Sequence, residues 1–391
     1  MPICKSWMKY AWEGRQCENP PWEPDPEGLC ILHSLKPEKD KQLFDQTLQQ
    51  QLARQDFDFR GVFFPGPVSF AQWKFQQPAN FQRAYFAGWV DFREAEFTAT
   101  ADFSYARFAR EANFAKAAFR GPVRFSRSEL YAEADFREVC FGDEALFQQI
   151  NAASRAPFQA FFQNIHLEPQ ARLSFQDTSL EQVSFLGTDM RQVAFYNVHW
   201  PVRRGRRMVF DEVLLQAKSK PAFFRYGSVS VYNLSYEDVC ARLEMLYRYL
   251  KLNYEGAGDH KQAGDFHYGE MEMHRRADPW RRRFPFSWYN LYWALSGYGE
   301  RPLRALAWLF GLLGVMATLM AAAGLYTPAG EPLGFGTAVI FLLEQATLLR
   351  PAWATPTTTG GHVVSAISRI MLPAQGALFI LALRNRLGRR R

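Results

Sequence analysis

Cys4, Cys17, Cys30 and His33 are the residues of this chain best suited to hold a metal ion. Thiolate sulfur and imidazole nitrogen are ligands of tetrahedral zinc. Cys30-x-x-His33 has the gap that lets one turn present both ligands to one ion. Cys4 and Cys17 are separated by twelve residues, which is not a knuckle spacing. A three-Cys, one-His site therefore requires the segment to fold back on itself. The segment is rich in Pro and Trp and has little core of its own, so a structural zinc would supply stability that it lacks. The competing reading is three reduced thiols and a surface histidine.

Other chemistry is sparser. His267, Glu270 and His274 fall at i, i+3 and i+7 on one helical face. They are either a second metal site or an ordinary polar face, and no Glu-x-x-His on a partner helix completes a di-metal bundle. Glu344, with Thr347 beside it, lies in an otherwise apolar stretch. A carboxylate there is costly unless it faces water or a partner. In a symmetric oligomer it would form a cation-favouring ring; otherwise it is one exposed Glu on an interfacial helix. Cys140 and Cys240 read as packed thiols. No Gly-rich phosphate loop, nucleophile elbow or HExxH is present, so no enzyme is expected.

The element that must carry the N-terminal residues is a ladder of phenylalanines. Large residues recur in steps of 5 and 6 from Phe59 through Phe64, Phe70, Phe75 and Phe81 to Phe147, with Leu130 the one departure from Phe. A helix repeats its buried positions every 3 to 4 residues and a strand every 2, so neither buries this pattern on one face. A coiled solenoid does, because each turn returns a side chain over its predecessor. From Phe81 onward the residue two places earlier is small (Ala79, Ala84, Val90, Ala95), as dense packing in a narrow core demands. After a looser stretch the step becomes 5 at Phe175, Leu180, Phe185, Met190, Phe195 and Trp200. A rod this regular offers no obvious pocket.

The units Ala79-Asn80-Phe81, Ala101-Asp102-Phe103, Ala112-Asn113-Phe114 and Ala134-Asp135-Phe136 resemble the A(D/N)Fxx unit of the pentapeptide-repeat proteins. The resemblance implies a β-solenoid, specifically a right-handed quadrilateral β-helix with one pentapeptide per face and about 20 residues per coil. The 5/6 step adds a residue at every second corner, giving about 22 per coil. Residues 59–200 would then make about six or seven coils, a rod about 30 Å long at about 4.8 Å per coil.

The chain has 391 residues, room for two or three domains, and its 48% hydrophobic content is concentrated in the last 90 residues. Net charge is +7 with pI near 9.1, carried by arginine clusters. The first ten residues lack an apolar core, so no secretory signal is expected. Five cysteines then suggest a reducing compartment. Arg83, Arg93, Arg107 and further arginines offset the acids of the repeat, which disfavours DNA mimicry and nucleic-acid partners.

Residues 305–326 carry no charge and are long enough to cross a bilayer. Residues 363–383 form a second apolar stretch, interrupted by Arg369. Between them 335–349 suits a re-entrant, pore-like helix or a buried soluble one. Arg281, Arg282, Arg283, Arg301 and Arg304 precede the first stretch, arginines follow the last, and 327–362 holds one Arg and no Lys. The positive-inside rule then puts both termini in the cytoplasm. Trp288 and Trp293, among other aromatics, mix with the first arginine set as at a lipid headgroup surface.

The organisation expected is a Cys/His segment at 1–40, a helical lead-in at 41–58, the β-helix at 59–200, a helical connector at 201–277, an interfacial segment at 278–304 and a two-span α-helical domain at 305–391. The connector reads as an α-hairpin. Ser235 with Asp238 starts its first helix, residues 255–259 break it, and a second runs over about 260–276. Residues 246–255, 263–276, 295–305 and 382–387 are similar to membrane proteins that join pentapeptide repeats to a two-span, ion-channel-like C-terminus. The similarity implies a homo-oligomeric, channel-like protein of the inner membrane, in contact with lipid, whose cytoplasmic rod senses or docks a protein partner. A membrane-anchored scaffold is the alternative. Potassium selectivity is doubtful, because no ThrValGlyTyrGly-like filter follows the pore-like helix and ThrThrThrGlyGly at 357–361 is a distant echo.

Overall fold

Phenylalanines one coil apart lie directly over one another. Phe81 stacks on Phe103 at 4.8 Å with 3° between ring planes, and Phe75 on Phe97 at 4.5 Å and 3°. Rings on adjacent faces meet edge to face, as Phe92 does Phe103 at 5.6 Å and 81°. Both arrangements suit the aromatic quadrupole. Every rung from Phe59 to Phe147 is at most 1% exposed, and the small residues two places earlier are buried with them. The computed structural model describes residues 4–6, 17–203, 205–217, 225–226, 229–230, 234–278, 287–326, 333–347 and 353–387. Its two compact units are Met1–Gly256 and Ala257–Arg391.

In the first unit the repeats build a four-sided β-solenoid of parallel sheets. Two faces carry six strands, one five and one four. Ala79 pairs with Ala101, Ala101 with Val123 and Val123 with Ala145, the 22-residue step that the 5/6 alternation predicts. Further on Phe175 pairs with Phe195, the shorter coil expected of a 5-step. The looser stretch between them bulges. Ala134 pairs with Ala160 and Ala145 with Leu173. Phe162 supplies a rung that no regular step predicts, 4.6 Å from Phe136.

The corners explain the rest of the repeat. A residue of positive φ recurs at Gly61, Gln72, Arg83, Glu94 and onward to Gln149, closing one kind of corner in the left-handed region at some cost in strain. Asn80, Asp91, Asp102, Asn113 and Asp135, each before a Phe, cap the same kind of corner. Asn80 Oδ1 accepts the N–H of Gln82 at 3.0 Å, and Asp91 and Asp135 accept those of Arg93 and Arg137 at 3.0 Å. This Asx turn satisfies a donor that the sheet cannot. Burial alone would raise the Asp91 pKa, but the Arg93 guanidinium outweighs it and holds the carboxyl below its usual range. At the other corners coils approach closely: a Cβ on Gly88 would lie 2.3 Å from Pro67 N.

A coil's last rung is open, and helices close it. Helix α1 (Lys41–Ala53) lies at the first coil, with Phe44 edge-on to Phe64 at 5.9 Å. At the other end stand α2 (Phe210–Ala217) and α3 (Tyr236–Gly256). Tyr254 of α3 stacks on Phe195 at 5.9 Å and 10°, continuing the aromatic column, and its hydroxyl accepts the Trp200 indole N–H at 2.8 Å. Asn253 donates to the carbonyls of Met190 and Val193. Asp211 of α2 accepts the Phe185 N–H at 3.0 Å and a hydrogen bond from Ser184. Beside it Arg206 pairs with Glu212 at 2.6 Å, and Tyr247 donates to the same carboxylate. Ser235 caps α3 as expected, accepting the Asp238 N–H at 3.0 Å.

The second unit begins with α4 (His260–Ala277) and α5 (Trp288–Ser296). Helix α6 (Pro302–Ala323), α7 (Phe335–Ala346) and α8 (Thr359–Leu387) follow, with α6, α7 and α8 sharing an apolar core around Met320, Phe341 and Leu372. Helices α6 and α8 are long and apolar enough to cross a membrane. Helix α8 extends beyond the predicted 363–383 at both ends, whereas α6 starts three residues before the predicted 305–326 and ends three residues short of it, where Leu325–Tyr326 pair as a strand. The end of the expected 335–349 helix lies outside the described residues.

Two outcomes follow. Gly88→Ala forces backbone apart at a stacked corner and is expected to cost about 1–3 kcal/mol, read by denaturant unfolding, where Gly66→Ala, with open space around it, is mild. Asp211 is buried, and burial pushes its pKa up to about 6, against the hydrogen bonds that it accepts. Between the unfolded value and about 6 the folded state therefore binds the extra proton, and stability rises as pH falls through that window. Asp211→Asn is expected to flatten that part of the stability–pH curve; an unchanged slope refutes the assignment.

Candidate metal centre

Cys4, Cys17, Cys30 and His33 converge, with all ligand atoms within 4.8 Å of one another. Among the described residues no other group of three or more His, Cys, Asp or Glu side chains is close enough to hold a metal. The long Cys4–Cys17 gap is closed by backbone pairing that the spacing does not reveal: Cys4 N–H donates to Asn19 O, and Lys5 N–H to Gly28 O. Cys30 and His33 sit on one turn, since His33 and Ser34 both donate to Cys30 O.

The distances fit one ion. Zn–S bonds of about 2.3 Å place tetrahedral sulfurs about 3.8 Å apart. Cys17 Sγ and Cys30 Sγ are 3.8 Å apart, Cys4 Sγ is 3.7 Å from His33 Nδ1, and Cys30 Sγ is 3.1 Å from it. His33 Nε2 lies 2.9 Å from Arg60 O, which accepts only if Nε2 carries the proton. That tautomer leaves the Nδ1 lone pair toward the thiols, the outer-shell arrangement usual for metal-bound imidazole. The Cys30 N–H also donates to Cys4 Sγ at 3.2 Å, lowering the cost of a thiolate there.

Protons cannot distribute evenly over this cluster. Hydrogen bonds with Cys17 and Cys30 drive the Cys4 pKa far down, while those with Cys30 and Cys4, then burial, drive that of Cys17 far up. Burial opposes the imidazolium of His33, but the bonds to Cys30 and Cys4 raise its pKa to about 10. A divalent cation replaces these shared protons with one charge of the right sign, so binding releases protons and weakens in acid.

The centre also holds the first coil. Arg60 and Phe63 belong to that coil, and Phe63 N–H donates to Leu32 O at 3.0 Å. Lys39, 6% exposed, donates to Ile31 O, Leu32 O and Phe63 O, so each ammonium hydrogen finds a carbonyl. Burial lowers its pKa to about 7. Sequence spacing gave no sign of Lys39 or of the His33–Arg60 bond.

The remaining predicted residues are dispersed. His267 lies 3.6 Å from Glu270, whereas the His274 ring packs on Tyr289 at 5.3 Å. Glu344 accepts the Trp353 indole N–H at 2.8 Å, and Thr347 is exposed with its hydroxyl on the carbonyl of Glu344 at 2.9 Å. Trp288 is 83% exposed. Trp293 donates to Tyr268 and lies beneath Arg304, and Arg301 lies over Tyr268. Arg281, Arg282 and Arg283 lie outside the described residues.

Residues 59–107 and 103–150 match the family model for pentapeptide repeats, so the repeats are present over that stretch. No curated protein matches the chain. No solved structure matches it either.

Elemental analysis of purified chain is expected to give one transition-metal ion per chain. Cys30→Ser and His33→Ala should lose it, and Cys140→Ser should keep it. Loss should speed amide exchange at Val62 and Phe63 while leaving the middle coils protected, and retention should fall as pH drops below about 6. Retained metal in Cys30→Ser would dismiss the site.

Proposed function

We propose that the protein is a two-span membrane protein whose solenoid is a docking arm for a protein partner, closed at its N-terminal end by a structural zinc. The observation that carries this reading is the state of the two apolar helices. Only 22% of each apolar window in α6 and α8 is buried within the chain. A soluble core helix buries most of such a surface; a bilayer covers it from outside. Arg301 caps the start of α6 and Arg304 lies in its first turn, and Arg384 and Arg386 lie at the end of α8, which supports cytoplasmic ends. The solenoid supports docking rather than chemistry. Its interior is filled by rings and its ends by helices, so its lateral faces are what a partner can reach. Zinc is favoured over other ions by three thiols and one imidazole at tetrahedral spacing.

One observation favours a second reading, a channel-like homo-oligomer. Arg369 is exposed within the apolar part of α8 and has no ion pair among the described residues. A guanidinium facing lipid is expensive, so it calls for water or another copy. Polar groups between the apolar helices have partners within the chain: Gln345 bonds Ser365 and Ser368, and Gln375 donates to Ala305 O at 2.9 Å.

Fractionation is expected to place the chain in carbonate-resistant membranes, and recovery in the soluble fraction would end both readings. Deleting 334–362 then separates them. A docking arm keeps its partner, whereas a channel loses ion flux in liposomes, as Arg369→Ala should also change it.

A further inference from the structure

The metal centre is not closed on all sides. Cys4 and Cys30 are fully buried and His33 is 4% exposed, but Cys17 is only partly buried. Beside it lies a cleft of about 380 Å³ with largely polar walls, among them Gln50 and Gln51 of α1 and Asp56 and Asp58. Cys17 and His33 line this cleft, and Cys4 and Cys30 do not. Of the three thiols of the centre, Cys17 alone is therefore open to a small polar molecule.

A second sulfur is within reach of the first. Cys17 Sγ and Cys30 Sγ are 3.8 Å apart. Cys17 stands outside any helix or strand, so its backbone is not tied into a ladder. A movement of about 1.8 Å brings the two sulfurs to the disulfide distance of about 2 Å. An accessible thiol beside a resolving thiol is the arrangement of redox-sensing cysteines.

We propose that the centre is a peroxide-sensitive modification site: Cys17 is oxidised, Cys30 resolves it to a disulfide, and the metal is released. The inference rests on the zinc reading above. With a divalent ion bound all three sulfurs are thiolates, so access decides which of them reacts first. The oxidant is hydrogen peroxide, which is small and polar enough for the cleft. The Cys17 sulfur attacks one peroxide oxygen; an S–O bond forms, the O–O bond breaks and hydroxide leaves. The Cys30 thiolate then attacks the Cys17 sulfur; an S–S bond forms, the S–O bond breaks and a second hydroxide leaves. Two electrons pass from the sulfurs to the peroxide, and two protons from solvent turn the hydroxides into water. The cation keeps Cys4 and His33 alone of its four ligands. The change adjoins the rod, because His33 is the residue that donates to Arg60 O of the first coil.

The test adds hydrogen peroxide to purified full-length chain loaded with zinc. Metal release is followed with a colorimetric chelator, and the thiols are mapped by mass spectrometry. Brief exposure in the presence of dimedone should label Cys17 before Cys4 or Cys30. Longer exposure without dimedone should give a Cys17–Cys30 link and free the ion, and dithiothreitol with added zinc should reverse both. Gln50→Trp, at an exposed position in the wall of the cleft, should keep the metal and slow its release severalfold. Cys140→Ser should behave as the unaltered chain does. Metal content before peroxide tests the zinc reading, and the thiols modified afterwards test this proposal, so the two fail separately. First labelling at Cys4 or Cys30, a disulfide through Cys4, metal retained after Cys17 is oxidised, or unslowed release in Gln50→Trp overturns the proposal.

Discussion

A parallel β-coil has no lateral edge but two open ends, each a set of backbone groups and aromatic faces with nothing above them. An open end of this kind invites another chain to add on. Much else in the first unit answers that constraint. At the start Phe63 N–H is taken by Leu32 O, Phe63 O by Lys39, and Arg60 O by His33. At the finish Asp211 takes Phe185 N–H, Asn253 takes two carbonyls and Tyr254 lies on Phe195 as a last rung. The two caps differ in what holds them. The C-terminal cap rests on helices with their own buried residues, such as Leu243, Leu246 and Leu250. The N-terminal cap joins α1, with Phe44, Leu48 and Leu52 buried, to a short segment in which four metal-ligand side chains meet.

The rod was almost wholly legible in the chain because one large residue per face has no other way to be buried. Where the period failed, so did the reading. Phe162 is a rung out of step, and a cleft beside Glu129 lies where the bulge interrupts the ladder, contrary to the expectation of a pocketless rod. The break between Phe147 and Phe175 was visible, but its meaning depends on Asn151 replacing a strand, which is a tertiary fact. The four metal-ligand candidates were readable by residue type. Their convergence was not, because it comes from pairing between Cys4 and Asn19 and between Lys5 and Gly28. Asn253 and Tyr254 sat in a stretch notable for its resemblance alone; nothing in the spacing said that they close the rod.

The second unit shows how far hydropathy carries a reading. It located α6 and α8, and the apolar run between them became α7, packed with both. It could not foresee that Glu344 meets the Trp353 indole, or that Gln345 beside it is tied to two serines of α8. Polar residues at adjacent positions of one short helix have different partners, and only packing decides which faces inward.

The contacts described above join the two caps to the first and last coils, and the regular coils from Phe59 to Phe147 present the same stacked surface to their neighbours. Length is therefore a free variable of this architecture, but a quantised one. Whole coils of 22 residues, as between Phe81 and Phe103, can be gained or lost by duplication without either cap registering the change. Within these regular coils, gaining or losing a single 5- or 6-residue step instead turns the faces by a quarter. Reach can thus evolve in steps of one coil, about 4.8 Å, while the ends that close the rod stay as they are.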